Sequence, residues 1–344
     1  MKHLGEEVIE RQRTLLLDAV KQFVSRGQPY VMMDYPNYQN VGDSAIWLGM
    51  AKLLREVTGR LPSFTGYTDY DIKLLGKKAP EGPIFICGGG NFGDVWRGRD
   101  DIRYKLMQAY PGRQIVQMPQ SIQFRDPENL EFCKRQIAAH GKFHLMTRDH
   151  RSFELAKSFD CPVQLLPDTA FGIGKMKPVA ADQFHTLYML RDDREKGLDI
   201  SEVIKKVEGP VWDWMGAPKD LALRQPQSGF KALARGSWRK YQVRAQHHED
   251  VTARRVNYGI KLLSAGNRIV TDRLHIHIFS VLMNVPHVAL DNNYGKVHGY
   301  IDAWTSATPL VQKATTPEEV LQAMSRLPYE ASGAWYQQSK PLAA

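Results

Sequence analysis

Residues 269–296 read IVTDRLHIHIFSVLMNVPHVALDNNYGK. The pattern predicts a strand at Ile269–Thr271, a polar cluster of Asp272, Arg273, His275 and His277, and an apolar helical run over Ile276–Met283. A second strand, His287–Leu290, and a polar loop ending at Lys296 complete a β-α-β unit. Its charged residues fall at the strand-to-helix corner, where open α/β sheets hold their ligands. A buried helix alone does not call for an arginine and a histidine together at its first turn. The Arg273 guanidinium is a planar, permanently charged fork for a carboxylate or phosphate. His275 can carry a proton near neutral pH. His277 reads more simply, as a histidine satisfying a backbone group.

Working outward, the same strand-then-polar-loop pattern recurs. Tyr30–Met33 reads as a buried strand followed by a loop rich in Asp34, Asn37, Asn40, Gly42 and Asp43. A helix is expected near Ser44, with Asp43 or Ser44 as its cap. Pro83–Cys87 leads into GGGNFGDVWRGRD, in which Gly88, Gly90 and Gly93 satisfy G-x-G-x-x-G. A dinucleotide site fits poorly, because the next strand, Gln114–Gln117, runs into MPQS with no acid placed for ribose hydroxyls. The glycines are read as letting the backbone approach a ligand, with Asn91 and Asp94 as side-chain contacts. His144–Met146 and Pro162–Leu166 are further strands, ending in Arg148-Asp149 and Pro167-Asp168. Strands alternating with helices mean an α/β protein with mostly parallel sheets.

A chain of 344 residues exceeds what one growing core sustains. The Gly/Pro/Lys-rich break at 172–183 divides residues 1–177 from 178–328, and 329–344 is left as a tail. After the break, Thr186–Leu190 ends in Arg191, and Val211–Trp214 is another strand. Residues 216–229 read as loop, and 230–265 as a long basic helical region. The net charge of +9 favours an anionic ligand, polymer or membrane surface. No apolar run is long enough to span a bilayer, and MKHLGEEVIERQ is unlike an export signal. Three scattered cysteines argue for neither disulfides nor a structural metal site. A cytoplasmic protein is expected, without metal or cofactor. Nucleic-acid binding has only the charge in its favour.

Asn40-Val41-Gly42-Asp43, the loop Gly88 to Asp94, Arg148-Asp149 with Ser152, Pro167-Asp168, Arg191 and Arg273-Leu274-His275 occur in an order that resembles the polysaccharide pyruvyl transferases. The resemblance spans about residues 37–310. It implies two Rossmann-like domains facing across a cleft, as in GT-B glycosyltransferases. It also implies transfer of the enolpyruvyl group of phosphoenolpyruvate onto two hydroxyls of a sugar, as a ketal on an exopolysaccharide or other cell-surface glycan precursor. Arg191 and Arg273 would then meet the donor's phosphate or carboxylate, and His275 would move a proton. Asn40, Gly42, Gly89, Gly90 and Asn91 would line the donor side, and Asp43 stands with Asp94 and Asp272 as a candidate base. Many relatives carry Gly after the motif histidine, where this chain has Ile276. Asp94, Trp238, Arg239 and Arg244 are candidate contacts to the acceptor, a sugar or lipid-linked oligosaccharide reached at the inner membrane face. The alternatives are a GT-B glycosyltransferase using a nucleotide sugar, and a non-catalytic protein that binds acidic polysaccharide.

Overall fold

Val31-Met32-Met33 and Ile84-Phe85-Ile86 are three-residue strands with every residue buried. Such unbroken apolar runs belong to parallel strands covered on both faces. The computed structural model describes residues 2–179, 183–192, 197–215, 237–292 and 295–328, excepting the side chains of 2–4 and 237–240. The expected loop at 216–229 and the tail at 329–344 lie outside these, as do the side chains of Trp238 and Arg239. Among the described residues no helix is long and apolar enough to cross a membrane.

The chain partitions into two compact units. Of the described residues, 13–173 and 237–255 form the N-terminal unit, and 2–12, 174–215 and 256–328 the C-terminal unit. One change of unit falls inside the break read at 172–183. Two others fall within helices, α1 (Lys2–Lys21) and the long helix Ser237–Leu263, so a linear division at 177 does not describe the partition.

The N-terminal unit holds β1 (Val31–Met33), β2 (Phe64–Gly66), β3 (Ile84–Ile86), β4 (Gly89–Gly93), β5 (Ile115–Gln123), β6 (Phe143–Thr147) and β7 (Val163–Leu165). Their order is β2-β1-β3-β5-β6-β7, with β4 pairing β5, and every pairing is parallel. Connecting helices are α2 (Val41–Thr58), α3 (Asp69–Lys78), α4 (Ile102–Ala109), α5 (Pro127–His140) and α6 (His150–Ala156). Val31, Phe64, Ile84, Ile115, Phe143 and Leu145 join one apolar core. β5 outruns the expected Gln114–Gln117 because the strand continues through Pro119, which sits in a register shift between Gln117 and Gln120. Proline has no N–H for the ladder, so an irregularity is where a strand accommodates it.

The C-terminal unit holds β8 (Phe184–Met189), β9 (Val211–Trp212), β10 (Gly266–Thr271), β11 (His287–Leu290) and β12 (Val311–Ala314), in the order β12-β11-β10-β8-β9, again all parallel. Its helices are α7 (Ser201–Lys206), the end of α8 (Ser237–Leu263), α9 (Leu274–Leu282), α10 (Lys296–Tyr300) and α11 (Pro317–Arg326). In each sheet the chain steps one way and then returns past its first strand. The order therefore reverses between β1 and β3 in one unit and between β8 and β10 in the other. Such reversals open a crevice at the carboxyl ends of the two strands.

Candidate functional site

At the β1/β3 reversal, Asp34 follows β1 with φ +67, a left-handed conformation uncommon for a side-chain-bearing residue. Its buried carboxylate meets Arg97 through two contacts of 2.9 Å. Asn40 caps α2, accepting from the backbone N–H groups of Gly42 and Asp43. The cap expected at Asp43 or Ser44 is corrected to Asn40, three or four residues earlier. Asn40, extended at the turn, reaches those amides, while Asp43 lies within the first helical turn. One Asp43 oxygen, Oδ2, receives Tyr38 Oη at 2.9 Å and Asn40 Nδ2 at 2.8 Å.

Gly88 and Gly93 are glycines for the sheet itself. A β-carbon on Gly88 would stand 2.4 Å from the Pro119 carbonyl oxygen, and one on Gly93 would stand 1.8 Å from that of Gln123. The close approach expected toward a ligand is, at these two positions, an approach to β5. Behind them lies a buried polar network. Arg103 donates to Gln117 at 2.6 Å, Asp101 at 2.6 Å and Asn91 at 2.7 Å, and Gln120 Nε2 donates to the same Asn91 oxygen at 2.5 Å. Beside it Arg148, fully buried, donates to Asp168 at 2.5 Å and to Ser121 at 2.9 Å.

Two expected acceptor contacts are occupied within this unit. Asp94 receives the backbone N–H groups of Arg125 and Asp126, both at 2.8 Å. Against the burial that would raise its pKa, these bonds and Asn129 hold it below the usual carboxylate range. Arg244 forms a two-pronged pair with buried Asp71, at 2.6 and 3.0 Å. Burial works against Asp71 ionising, but Arg244, the Tyr67 N–H and Thr68 hold its pKa down to about 2. Arg244 thus anchors α8 onto α3.

At the β8/β10 reversal, Asp272 Oδ1 accepts the Arg191 N–H at 3.0 Å, bridging the ends of the two strands. Burial raises the Asp272 carboxyl to about 6, against the Arg191 N–H and the Arg191 and Arg273 charges that oppose it. Arg273 sits at the N-cap of α9 and donates to Asp213, just after β9, at 2.5 Å. The N-cap residue of α9, Arg273, makes no side-chain capping bond among the described residues, whereas α2 through α6 all carry a side-chain cap. His275 lies in that first turn and is half-buried. Arg191, Asp272, Arg273 and His275 therefore lie together at the carboxyl ends of β8 and β10. Among the described residues no group of three or more His, Cys, Asp or Glu could hold a metal ion.

His277 is not a backbone satisfier. Its ring bonds His287 Nε2 at 2.7 Å through Nδ1 and Thr305 Oγ1 at 2.9 Å through Nε2. His287 Nδ1 faces the Val285 carbonyl at 3.0 Å and must donate to it. His287 Nε2 then accepts, so His277 Nδ1 donates and its Nε2 accepts from Thr305. Both rings are neutral. Burial depresses both, His287 to about 4 and His277 well below its ordinary value, with His287 and His298 adding to the latter. The unfolded chain protonates below about pH 6.5 while the folded rings do not, so acid removes stability, up to about 1.4 kcal/mol per ring and pH unit. Asp272 and Glu249, both raised by burial, work in the opposite direction above their unfolded values, against these two rings and five further histidines that burial depresses. The thermal midpoint is expected to fall from pH 7 to pH 5. A midpoint that holds or rises would contradict the neutral pair.

Sequence reasoning missed Arg97, Arg103, Gln117 and Gln120. The one available signal was a glutamine-rich strand where a parallel sheet should be apolar.

Comparison with known proteins places the chain among relatives of one family. The family description Polysaccharide pyruvyl transferase matches residues 40–294. The chain is 28% identical over 321 residues to the Bacillus subtilis protein named "Putative pyruvyl transferase EpsO", covering 88% of this chain and 95% of that one. It is 26% identical over 347 residues to Pyruvyl transferase 1 of Schizosaccharomyces pombe, covering 94% and 81%. A functionally uncharacterized protein from Klebsiella pneumoniae shares the fold in its crystal structure, with TM-score 0.51 and 17% identity over 90% of this chain and 99% of that one.

Proposed function

The chain belongs to the polysaccharide pyruvyl transferase family, and from that premise we propose that it moves the enolpyruvyl group of phosphoenolpyruvate onto two hydroxyls of a sugar to form a pyruvate ketal. The observation that carries this reading is the uncapped start of α9 beside Arg273, at the β8/β10 reversal. Phosphoenolpyruvate is small and highly anionic. An open helix N-terminus supplies N–H donors and positive potential, and Arg273 supplies a fork for the phosphate or carboxylate. Arg191 stands at the end of the neighbouring strand, in reach of the same ligand class. The helix that follows the Asn40 to Asp43 loop lacks this property, because Asn40 already takes its first amides. The donor is therefore assigned to the C-terminal unit.

Ketal formation breaks the bond between the donor's C2 and its phosphate oxygen and forms two bonds from C2 to sugar oxygens. Two hydroxyl protons leave, one reaching the methylene carbon to make a methyl group and one departing with phosphate. His275 is suited to one proton transfer. Asp272, with a pKa near 6, is suited to receive the other. Arg273 and the α9 amides stabilise the leaving phosphate, so the chemistry calls on no cofactor. The acceptor would be a lipid-linked or polymeric saccharide, met in the cytoplasm at the membrane's inner face.

The test is incubation with phosphoenolpyruvate and defined saccharides, read by mass. One pyruvate gained with loss of water, and one phosphate released per ketal, is expected. Stabilisation by a nucleoside diphosphate but not by phosphoenolpyruvate would instead favour glycosyl transfer. The rate should rise with pH through an apparent pKa near 6, and Asp272→Asn should flatten that limb. An unchanged profile in the Asn protein would remove Asp272 from the proton path.

A further inference from the structure

Buried Gly89, in the N-terminal unit, marks a second candidate for ligand contact. Gly89 has φ +132, and the point its β-carbon would occupy is 3.5 Å from Gln120 Oε1 and 3.9 Å from Asp43 Oδ1. Both oxygens flank the space that a side chain would fill. Gln120 is completely buried, and its Oε1 accepts no hydrogen bond. The amide cannot be turned to relieve this, because Nε2 is needed to donate to Asn91 Oδ1, which Arg103 also engages. Leaving a buried carbonyl oxygen unsatisfied costs on the order of 1–3 kcal/mol, so such a group calls for a donor from outside the chain.

Asp43 points the same way. Its Oδ2 takes both Tyr38 Oη and Asn40 Nδ2, while Oδ1 receives nothing from the described residues. Among those residues no cation pairs with Asp43, whereas Asp34 has Arg97 and Asp168 has Arg148. The thiol of Cys87, just before Gly88, is pushed up by burial and then by Asp34, Asp43 and Asp168, with Arg103 opposing, and of these three carboxylates only Asp43 has no cation among the described residues. An anionic donor is a poor match for two unanswered acceptor oxygens beside them. A ligand that presents O–H groups is a good one. An exposed ring belongs to the same region, that of Tyr38, 47% exposed and bonded to Asp43. Aromatic faces of this kind offer an apolar surface with a polar edge, as a sugar ring requires.

We propose that Gln120 and Asp43 form a hydroxyl-reading subsite at Gly89 that positions the acceptor saccharide in the N-terminal unit. It rests on the transfer reading above for its ligand class and replaces the donor role expected of this loop. Asp43 accepts from one hydroxyl and Gln120 from another, so two donor groups on one saccharide are selected together. Glycine is required at position 89 both by its φ and because any side chain would occupy the subsite.

The test uses the full chain and the methyl glycosides of glucose, galactose, mannose and N-acetylglucosamine. Binding is followed by saturation-transfer NMR, beside calorimetry with phosphoenolpyruvate. Asp43→Asn is the sharper variant. Tyr38 and Asn40 both donate to this side chain, which fixes the amide oxygen toward them and turns the NH2 into the subsite, exchanging an acceptor for a donor. Gln120→Met removes the other acceptor at similar size. If it fails to fold, Asp43→Asn decides alone. Expected is glycoside binding by the parent, about 10-fold weaker or worse in each variant, with phosphoenolpyruvate affinity unchanged. Loss of phosphoenolpyruvate affinity with glycoside binding intact would overturn the subsite and place the donor here. Equal glycoside binding in all three proteins, or none by the parent, would overturn it too. Glycoside binding that the variants lose, in a protein that binds no phosphoenolpyruvate, would uphold the subsite and discard the transfer reading.

Discussion

The His275→Asn protein is expected to bind phosphoenolpyruvate nearly as tightly as the parent and to turn over roughly 100-fold or more slowly. Asparagine keeps polarity and approximate size in the first turn of α9, but it cannot carry a proton near neutral pH. The competing account makes His275 a helix cap. The N-cap position itself is held by Arg273, two residues before His275, and the Arg273 side chain makes no capping bond. Asparagine, an adequate cap in its own right, would not be expected to slow a protein in which His275 only supported α9. Arg273→Lys gives the complementary pattern. It keeps the charge and loses the fork that Asp213 now orients at 2.5 Å, so donor binding should weaken by about 1–3 kcal/mol. Calorimetry with the donor beside single-turnover rates separates the two. Near-parental turnover in the Asn protein would strip His275 of its chemical role, and parental affinity in the Lys protein would do the same for the fork.

That this crevice could be read from sequence has a physical reason. β10, α9 and β11 are contiguous, their apolar runs alternate at short range, and the polar residues fall at the joints. His287–Leu290 forms as expected, and α9 starts only two residues before the expected Ile276. Local patterning also located the Asn40 to Asp43 turn but not its cap, because three neighbouring residue types there all cap helices. What escaped was set by partners distant in sequence. Arg244 and Asp71 are 173 positions apart, and Arg55 pairs with Glu249 across 194. A basic helix whose arginines are committed in this way looks, in sequence, like one that waits for an anion. The glycines of the 88–93 loop misled for a related reason. A close backbone approach is legible in a glycine, but the identity of the approaching group is not, and at two positions it is β5. β2 and β12 went unread because Phe64-Thr65-Gly66 and Val311-Gln312-Lys313-Ala314 lack the unbroken apolar run that marks β1 and β3.

The Asp168→Ala protein is expected to lose about 3–5 kcal/mol of stability, because it leaves the Arg148 guanidinium charged in a site from which water is excluded. Arg148 is 1% exposed and Asp168 is fully buried, and their contact joins the ends of β6 and β7. Asp168 also receives the Ala170 N–H at 2.8 Å, which ties down the turn Thr169–Ile173. Arg148 in turn holds Ser121 on β5, and Ser121 donates to Asp149, the cap of α6. One carboxylate thus keeps three strand ends and a helix start in register. A loss of this size is a large fraction of the 5–15 kcal/mol that stabilises a typical domain, so the variant should unfold at lower temperature and yield less soluble protein. Low yield alone would not distinguish a broken ion pair from a lost ligand contact. The double variant Arg148→Met, Asp168→Leu makes that distinction, because matched apolar groups remove the desolvation cost along with the pair. It should recover a large part of the thermal midpoint lost by Asp168→Ala, and phosphoenolpyruvate affinity should stay parental, since the donor is assigned to α9. A single variant with the parental midpoint would show that the pair does not stabilise this unit. A recovered double variant that no longer binds phosphoenolpyruvate would move Arg148 out of the scaffold and into the donor site.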